Sequence, residues 1–125
     1  TDSDSGGPAA LVVDDNHSLC VLVQQMLRPH FEVDVASDPD EALEMARSMT
    51  YELIVLDIML SHRMSGVDVL KQLRREAAYE EVPVVAITGY ELGGEDRFLE
   101  EGFDAFLPKP FTRENLLEKV EVGEN

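Results

Sequence analysis

Short apolar runs alternate with segments of helical period along this chain. ALVV (10–13), LIVLD (53–57) and VPVVAIT (82–88) are nearly continuous, FEVDVA (31–36) alternates with a period of two, and DAFLP (104–108) is a fifth short run. Between them apolar residues recur at three- and four-residue spacing, the mark of a half-buried helix. Leu19, Leu22, Val23, Met26 and Leu27 form such a face behind Asn16, a residue suited to cap a helix N-terminus. SDPDEALEMARSM opens with Asp38 as N-cap, Pro39 at the first helical position and Glu41 at the third, which predicts a sharp helix start. Its inward stripe is Ala42, Met45, Ala46 and Met49. A third helix is predicted over 66–77 with Val69, Leu70 and Leu73 inward. GEDRFLEEG (94–102) predicts a short helix stopped by Gly102, and TRENLLEKV (112–120) a last one capped by Thr112.

Five strands alternating with five helices predict an α/β fold with a parallel sheet covered on both faces. The continuously apolar middle strands suit such a sheet. Right-handed crossovers with one reversal of strand order make it doubly wound. No internal repeat breaks the pattern. The expected organisation is one domain over 9–121, with 1–8 a flexible lead and 122–125 a tail or the start of a linker.

Composition narrows the partners. The 125 residues, 44% of them hydrophobic, suffice for one core. There are 26 acidic residues against 10 basic ones, a net charge of -16 that repels nucleic-acid backbones and anionic membranes. Cys20, the single cysteine, has no internal disulfide partner and falls on an apolar helix face, so a small core residue is expected. No apolar run approaches the length of a membrane span. Residues 1–9 lack the basic and apolar regions of a signal peptide, and the expected location is the cytoplasm.

The chemistry collects at the strand ends. In doubly wound sheets ligands sit beyond the carboxyl ends of the strands. Those ends carry Asp14 and Asp15, then Asp57, Thr88 and Lys109. Adjacent strands lie roughly 4.8 Å apart, so the carboxylates crowd unless a cation intervenes. Oxygen ligands alone select a hard cation such as Mg²⁺. A carboxylate nucleophile accepts a phosphoryl group when a metal and an ammonium balance the developing charge. This accounts for an aspartate at the end of the buried run LIVLD. Each piece alone is ordinary: a turn or cap aspartate, a strand-ending threonine, a Lys-Pro loop. Four matched groups at four strand ends are not explained that way.

The motifs VVDDN, LIVLDIML, VVAIT and FLPKPF, in this order and spacing, resemble the receiver domain of two-component response regulators over residues 9–121. The resemblance implies a flavodoxin-like sheet of order 2-1-3-4-5. It implies Asp57 as the phosphoryl acceptor, Asp15 as a direct Mg²⁺ ligand, Asp14 as its neighbour acting largely through water, and the Met59 backbone carbonyl as a further ligand. Thr88 and Lys109 match the groups that contact the phosphoryl oxygens, and Phe106 the aromatic whose rotation follows Thr88. The implied donor is a phosphohistidine on a sensor kinase or phosphotransfer protein. The implied response is a changed surface on the fourth predicted helix, fifth strand and last helix, acting on an output domain, a target protein or a second copy of the chain. The domain is then a phosphoacceptor signalling switch and not an enzyme.

The chain departs from the pattern after Asp57. Ser61 stands where most receivers have proline, and SHRMSG is one residue longer than usual before Gly66. Met59 and Tyr90 are bulky at positions that flank the site in the family. His17 follows the acidic pair, within reach of a metal there, and His62 lies in the loop beyond Asp57, but both read as exposed helix-start and loop residues; His30 sits before a strand with no partner groups for a site. Two alternatives belong to other classes. A phosphohydrolase with an aspartate nucleophile usually carries a second acid two residues on, and here that residue is Met59. A pseudo-receiver that binds partners without phosphorylation has typically lost an acid or the lysine, and here all are present. Neither a GxxxxGK[ST] nor a GxGxxG loop occurs, so nucleotide binding is unsupported.

Overall fold

The structure is a computed structural model that describes residues 8–58, 65–88, 101–109 and 111–124. Strand β1 (Ala9–Val13) leads to helix α1 (His17–Leu27), β2 (Glu32–Ala36), α2 (Pro39–Ser48), β3 (Leu53–Asp57) and α3 (Gly66–Arg74). A 3₁₀ turn (Ala77–Tyr79), β4 (Val84–Thr88), β5 (Ala105–Pro108) and α4 (Arg113–Glu124) follow. The five strands form one parallel sheet in the order β2-β1-β3-β4-β5. Four α-helices are found among the described residues. The predicted helix over 94–102 lies mostly outside them, although Glu101 is helical and Gly102 adopts φ 118°, the left-handed geometry of a helix stop.

Local chemistry starts the helices where the sequence predicts. The Asn16 and Asp38 side chains accept the N–H groups of Leu19 and Glu41, at 3.1 and 2.8 Å. Ser65 and Asp68 form a capping box at α3, and Thr112 accepts from the Asn115 N–H at 3.0 Å.

Successive strand residues face opposite helix layers. Leu11, Val13, Ile54, Leu56, Val84 and Ala86 pack under α2 and α3, with Ala42, Ala46, Val69, Leu70 and Leu73. Ala10, Val12, Leu53, Val55, Val85 and Ile87 pack under α1 and α4, with Cys20, Val23, Leu27, Leu116 and Val120. Burial on both faces of β3 and β4 is why those runs are unbroken by polar residues.

Three expectations shift. On α1 the buried residues are Cys20, Val23 and Leu27, while Leu22 is 45% exposed, because the layer is centred one position away from the predicted stripe. On α2 Leu43 is buried, and Met49, just past the helix, is 47% exposed. Helix α3 ends at Arg74 rather than at residue 77. The Arg75 N–H turns back to the carbonyls of Gln72 and Leu73, and the 3₁₀ turn drives Tyr79 into the core. There its hydroxyl lies 2.7 Å from the carbonyls of Ala46 and Met49 and accepts from the Tyr51 N–H at 3.2 Å. Tertiary anchoring of Tyr79 overrides the helix preference of Ala77 and Ala78.

Candidate functional site

Register brings the strand ends level. Val13 pairs with Ala36 on one side and Leu56 on the other, Asp57 pairs with Ile87, and Thr88 pairs with Pro108. Asp14, Asp57, Thr88 and Lys109 therefore leave the sheet along one rim. One ligand oxygen from each of Asp14, Asp15 and Asp57 lies within 4.8 Å of the others. Asp14 and Asp57 are buried and Asp15 is exposed, so the cluster opens to solvent on the Asp15 side.

Asp14 is held tightly. Its N–H donates to the Ala36 carbonyl at 3.1 Å, and its Oδ1 accepts from the Asn16 N–H at 2.8 Å. Its backbone carbonyl accepts from the Cys20 thiol at 3.1 Å. Lys109 Nζ lies 3.0 Å from Asp14 Oδ2 and 3.6 Å from Asp57 Oδ2. Burial alone lowers the Lys109 pKa, but the two carboxylates outweigh it and raise the group above its ordinary 10.5. Lys109 is the partner of the buried Asp14 Oδ2, which meets no other donor among the described residues.

Among the described residues the ammonium paired with this cluster is that of Lys109, on Asp14 and Asp57, so three carboxylates carry more negative charge than it balances. An all-oxygen donor set with spare negative charge fits a hard divalent cation such as Mg²⁺. Asp14, Asp15 and Asp57 are the residues present to hold it.

Backbone contacts aim the rest. The Ile58 N–H reaches the Ile87 carbonyl at 3.0 Å, and the Lys109 N–H reaches the Thr88 carbonyl at 2.7 Å. Thr88 is fully buried. Phe106 pairs with Ala86 across the sheet and packs, 8% exposed, into the layer under α2 and α3. Gly66 begins α3 against the end of β3, its N–H donating to the Ile58 carbonyl at 2.8 Å. A Cβ there would overlap the Asp57 carbonyl oxygen and lie 2.7 Å from the Ile58 Cα. Glycine is required at this position by close approach of backbones.

Asp14, Asp15, Asp57 and Lys109 are thus brought together as expected from the sequence, with Thr88 on the same rim. Met59, Ser61, His62 and Tyr90 lie outside the described residues. His17 is exposed at the start of α1, and His30 is exposed beyond its end. Two contacts escaped sequence reasoning: the Cys20 thiol on Asp14, and Gly66 against Asp57. The glycine had a signal, since a poor helix former at a helix start points to a packing reason. The thiol had none, because its contact spans six residues and depends on where α1 settles. Burial, followed by the Asp14 carboxylate, pushes the Cys20 thiol from its ordinary 9.0 up to about 11.

The response regulator receiver domain profile matches residues 10–121. The chain is 36% identical over 114 residues to the transcriptional regulatory protein DltR of Streptococcus agalactiae, covering 90% of this chain and 50% of that protein. It is 32% identical over 114 residues to hybrid signal transduction histidine kinase D of Dictyostelium discoideum, covering 90% of this chain and 7% of that protein. The chain thus spans half or less of these curated relatives. Among solved structures it resembles the receiver domain of sensor histidine kinase PA1611 from Pseudomonas aeruginosa, described with a magnesium ion coordinated in the active-site cleft. The TM-score is 0.83 at 27% identity, covering 96% of this chain and 100% of that one.

Proposed function

This chain belongs to the response regulator receiver domain family, and on that footing we propose that it is a phosphorylation-controlled switch whose acceptor is Asp57. The observation that carries this reading is a buried Asp57 carboxylate with Lys109 Nζ at 3.6 Å and two further carboxylates within 4.8 Å. In the proposed step an Asp57 oxygen attacks the phosphorus of a phosphohistidine on a sensor kinase or phosphotransfer protein. The new O–P bond forms as the P–N bond breaks, and the imidazole leaves with the electron pair and takes up a proton. Lys109 neutralises the charge gathering on the phosphoryl oxygens. Asp14, Asp15 and Asp57 would hold Mg²⁺, with the Met59 carbonyl as the further ligand the family resemblance implies, and the ion when bound would supply further charge neutralisation.

Thr88 then bonds a phosphoryl oxygen, and Phe106, already packed inward at 8% exposure, is held there, which fixes the surface read by an output domain, a target protein or a second copy. The domain is a phosphoacceptor rather than an enzyme, working in the cytoplasm without binding nucleic acid or membrane itself. Among the described residues no helix is long and apolar enough to cross a membrane. The donor has a neutral surface to approach in this acidic chain: α1 carries no Asp, Glu, Lys or Arg, and Val21 and Leu22 are 36% and 45% exposed.

The test is incubation with a small phosphoramidate and Mg²⁺, followed by intact mass. The expected result is a single added phosphoryl group mapping to Asp57, lost in Asp57→Asn and absent when a chelator replaces Mg²⁺. Modification mapped to another residue, or equal uptake in chelator, overturns the reading.

A further inference from the structure

Asp15 is the most exposed carboxylate of the acidic cluster, so the direction of its side chain depends on its backbone. The peptide that joins Asp14 to Asp15 is planar, and holding its oxygen limits where the Asp15 Cα can lie. That oxygen is the Asp14 carbonyl, and the Cys20 Sγ donates to it at 3.1 Å from a fully buried position on α1. The other side of the residue is tied by the Asp14 N–H to the Ala36 carbonyl at 3.1 Å. Cys20 is itself placed by the cap of α1: its N–H donates to the Asn16 carbonyl at 3.1 Å, while the Asn16 N–H holds Asp14 Oδ1 at 2.8 Å. The thiol therefore closes a ring of contacts linking the helix cap, the end of β1 and the acidic cluster.

We propose that Cys20 is a positioning residue of the metal site: its S–H donates to the Asp14 carbonyl, sets the plane of the Asp14–Asp15 peptide and so aims the Asp15 carboxylate at the cation. This rests on the reading of the cluster as a Mg²⁺ site. Groups that orient metal ligands without touching the metal have measurable effects on affinity. Cys20 differs from a mere space-filler in one chemical respect, its proton, and the two roles separate on that point.

The experiment titrates Mg²⁺ by calorimetry into the metal-free chain and its Cys20→Ala, Cys20→Val and Cys20→Ser variants, with urea unfolding of each in chelator. Val occupies the thiol's space without a donor, and Ser restores a donor with a smaller group. The expected result is Mg²⁺ affinity weakened about tenfold in the Ala and Val variants, with Ser staying closer to the native chain than either. Ala and Val variants that bind Mg²⁺ as the native chain does overturn the proposal, as does a Ser variant no better than Ala. If Ala fails to fold, Val against Ser decides the same question. A native chain that binds no Mg²⁺ overturns the metal reading, and the role of Cys20 with it.

Discussion

The two ends of the sheet both bury polar groups, and they do so in opposite ways. At the amino end Arg74 and Asp104 are spent on structure. Arg74 donates to the carbonyls of Tyr79 and Val82 at 2.8 Å, to that of Gly102 at 3.1 Å, and to Asp104 Oδ2 at 3.0 Å. The same Asp104 oxygen accepts the Val84 N–H at 2.8 Å, which locks the start of β4 to the residue before β5. The Tyr51 hydroxyl donates to Asp34 at 2.7 Å, and the Tyr79 hydroxyl ties α2 to the segment before β3. At the carboxyl end three carboxylates cluster, and among the described residues a single ammonium, that of Lys109, pairs with two of them, Asp14 and Asp57. Satisfied polar networks hold a fold in one arrangement. Like charges held together cost stability and are kept where a ligand will neutralise them.

Breaking the amino-end network has the largest expected effect. Arg74→Ala removes the guanidinium from four carbonyls, the fourth being that of Glu80 at 3.5 Å, and from a carboxylate, and should cost about 2–3 kcal/mol, discounted because the pair with Asp104 is partly solvated. Urea unfolding in chelator measures it, while phosphoryl uptake by the folded variant should be retained. A loss of uptake with unchanged stability would reverse the roles assigned to the two ends.

The carboxyl end should respond with the opposite sign. Asp57→Asn removes one of three crowded charges, and the metal-free chain should gain about 1 kcal/mol of stability while losing phosphoryl uptake. The urea midpoint of the variant, compared with the native chain in chelator, checks it. A fall in midpoint would mean that the Lys109 pair stabilises more than the carboxylate crowding costs.

The smallest effect is a change in pH dependence. Burial, then the Asp34 carboxylate, raises the Tyr51 pKa above its ordinary 10.0, and burial raises Tyr79 as well. A group raised in the folded state contributes stability that is present below its unfolded pKa and lost as pH climbs through the folded one. Native stability should therefore fall from about pH 10 upward. Tyr51→Phe should lose about 1 kcal/mol at neutral pH, the worth of its hydrogen bond to Asp34, and then fall less steeply above pH 10. Residual slope is expected from Tyr79. Parallel curves for variant and native chain would remove Tyr51 from the alkaline titration.

Local chemistry in the sequence by itself determined the kinds and order of the elements described. Unbroken apolar runs are strands because both faces of β3 and β4 are covered, and Asn16, Asp38 and Thr112 cap helices because their side chains bond N–H groups three residues away. The acidic strand ends were legible for the same reason: strand direction and length place each terminal residue on one rim. The strand order came with the family resemblance rather than from periodicity, and the expected helix over 94–102 and the Met59 carbonyl lie largely or wholly outside the described residues. Only the tertiary structure decided which neighbours meet. Period alone left the buried face of α1 one position uncertain, and packing against β1 turned Leu22 to solvent and Cys20 toward Asp14. Likewise Ala77 and Ala78 favour helix locally, yet Tyr79 finds its partners on α2 and before β3, some 30 residues away in sequence, and that long-range anchoring ends α3 at Arg74.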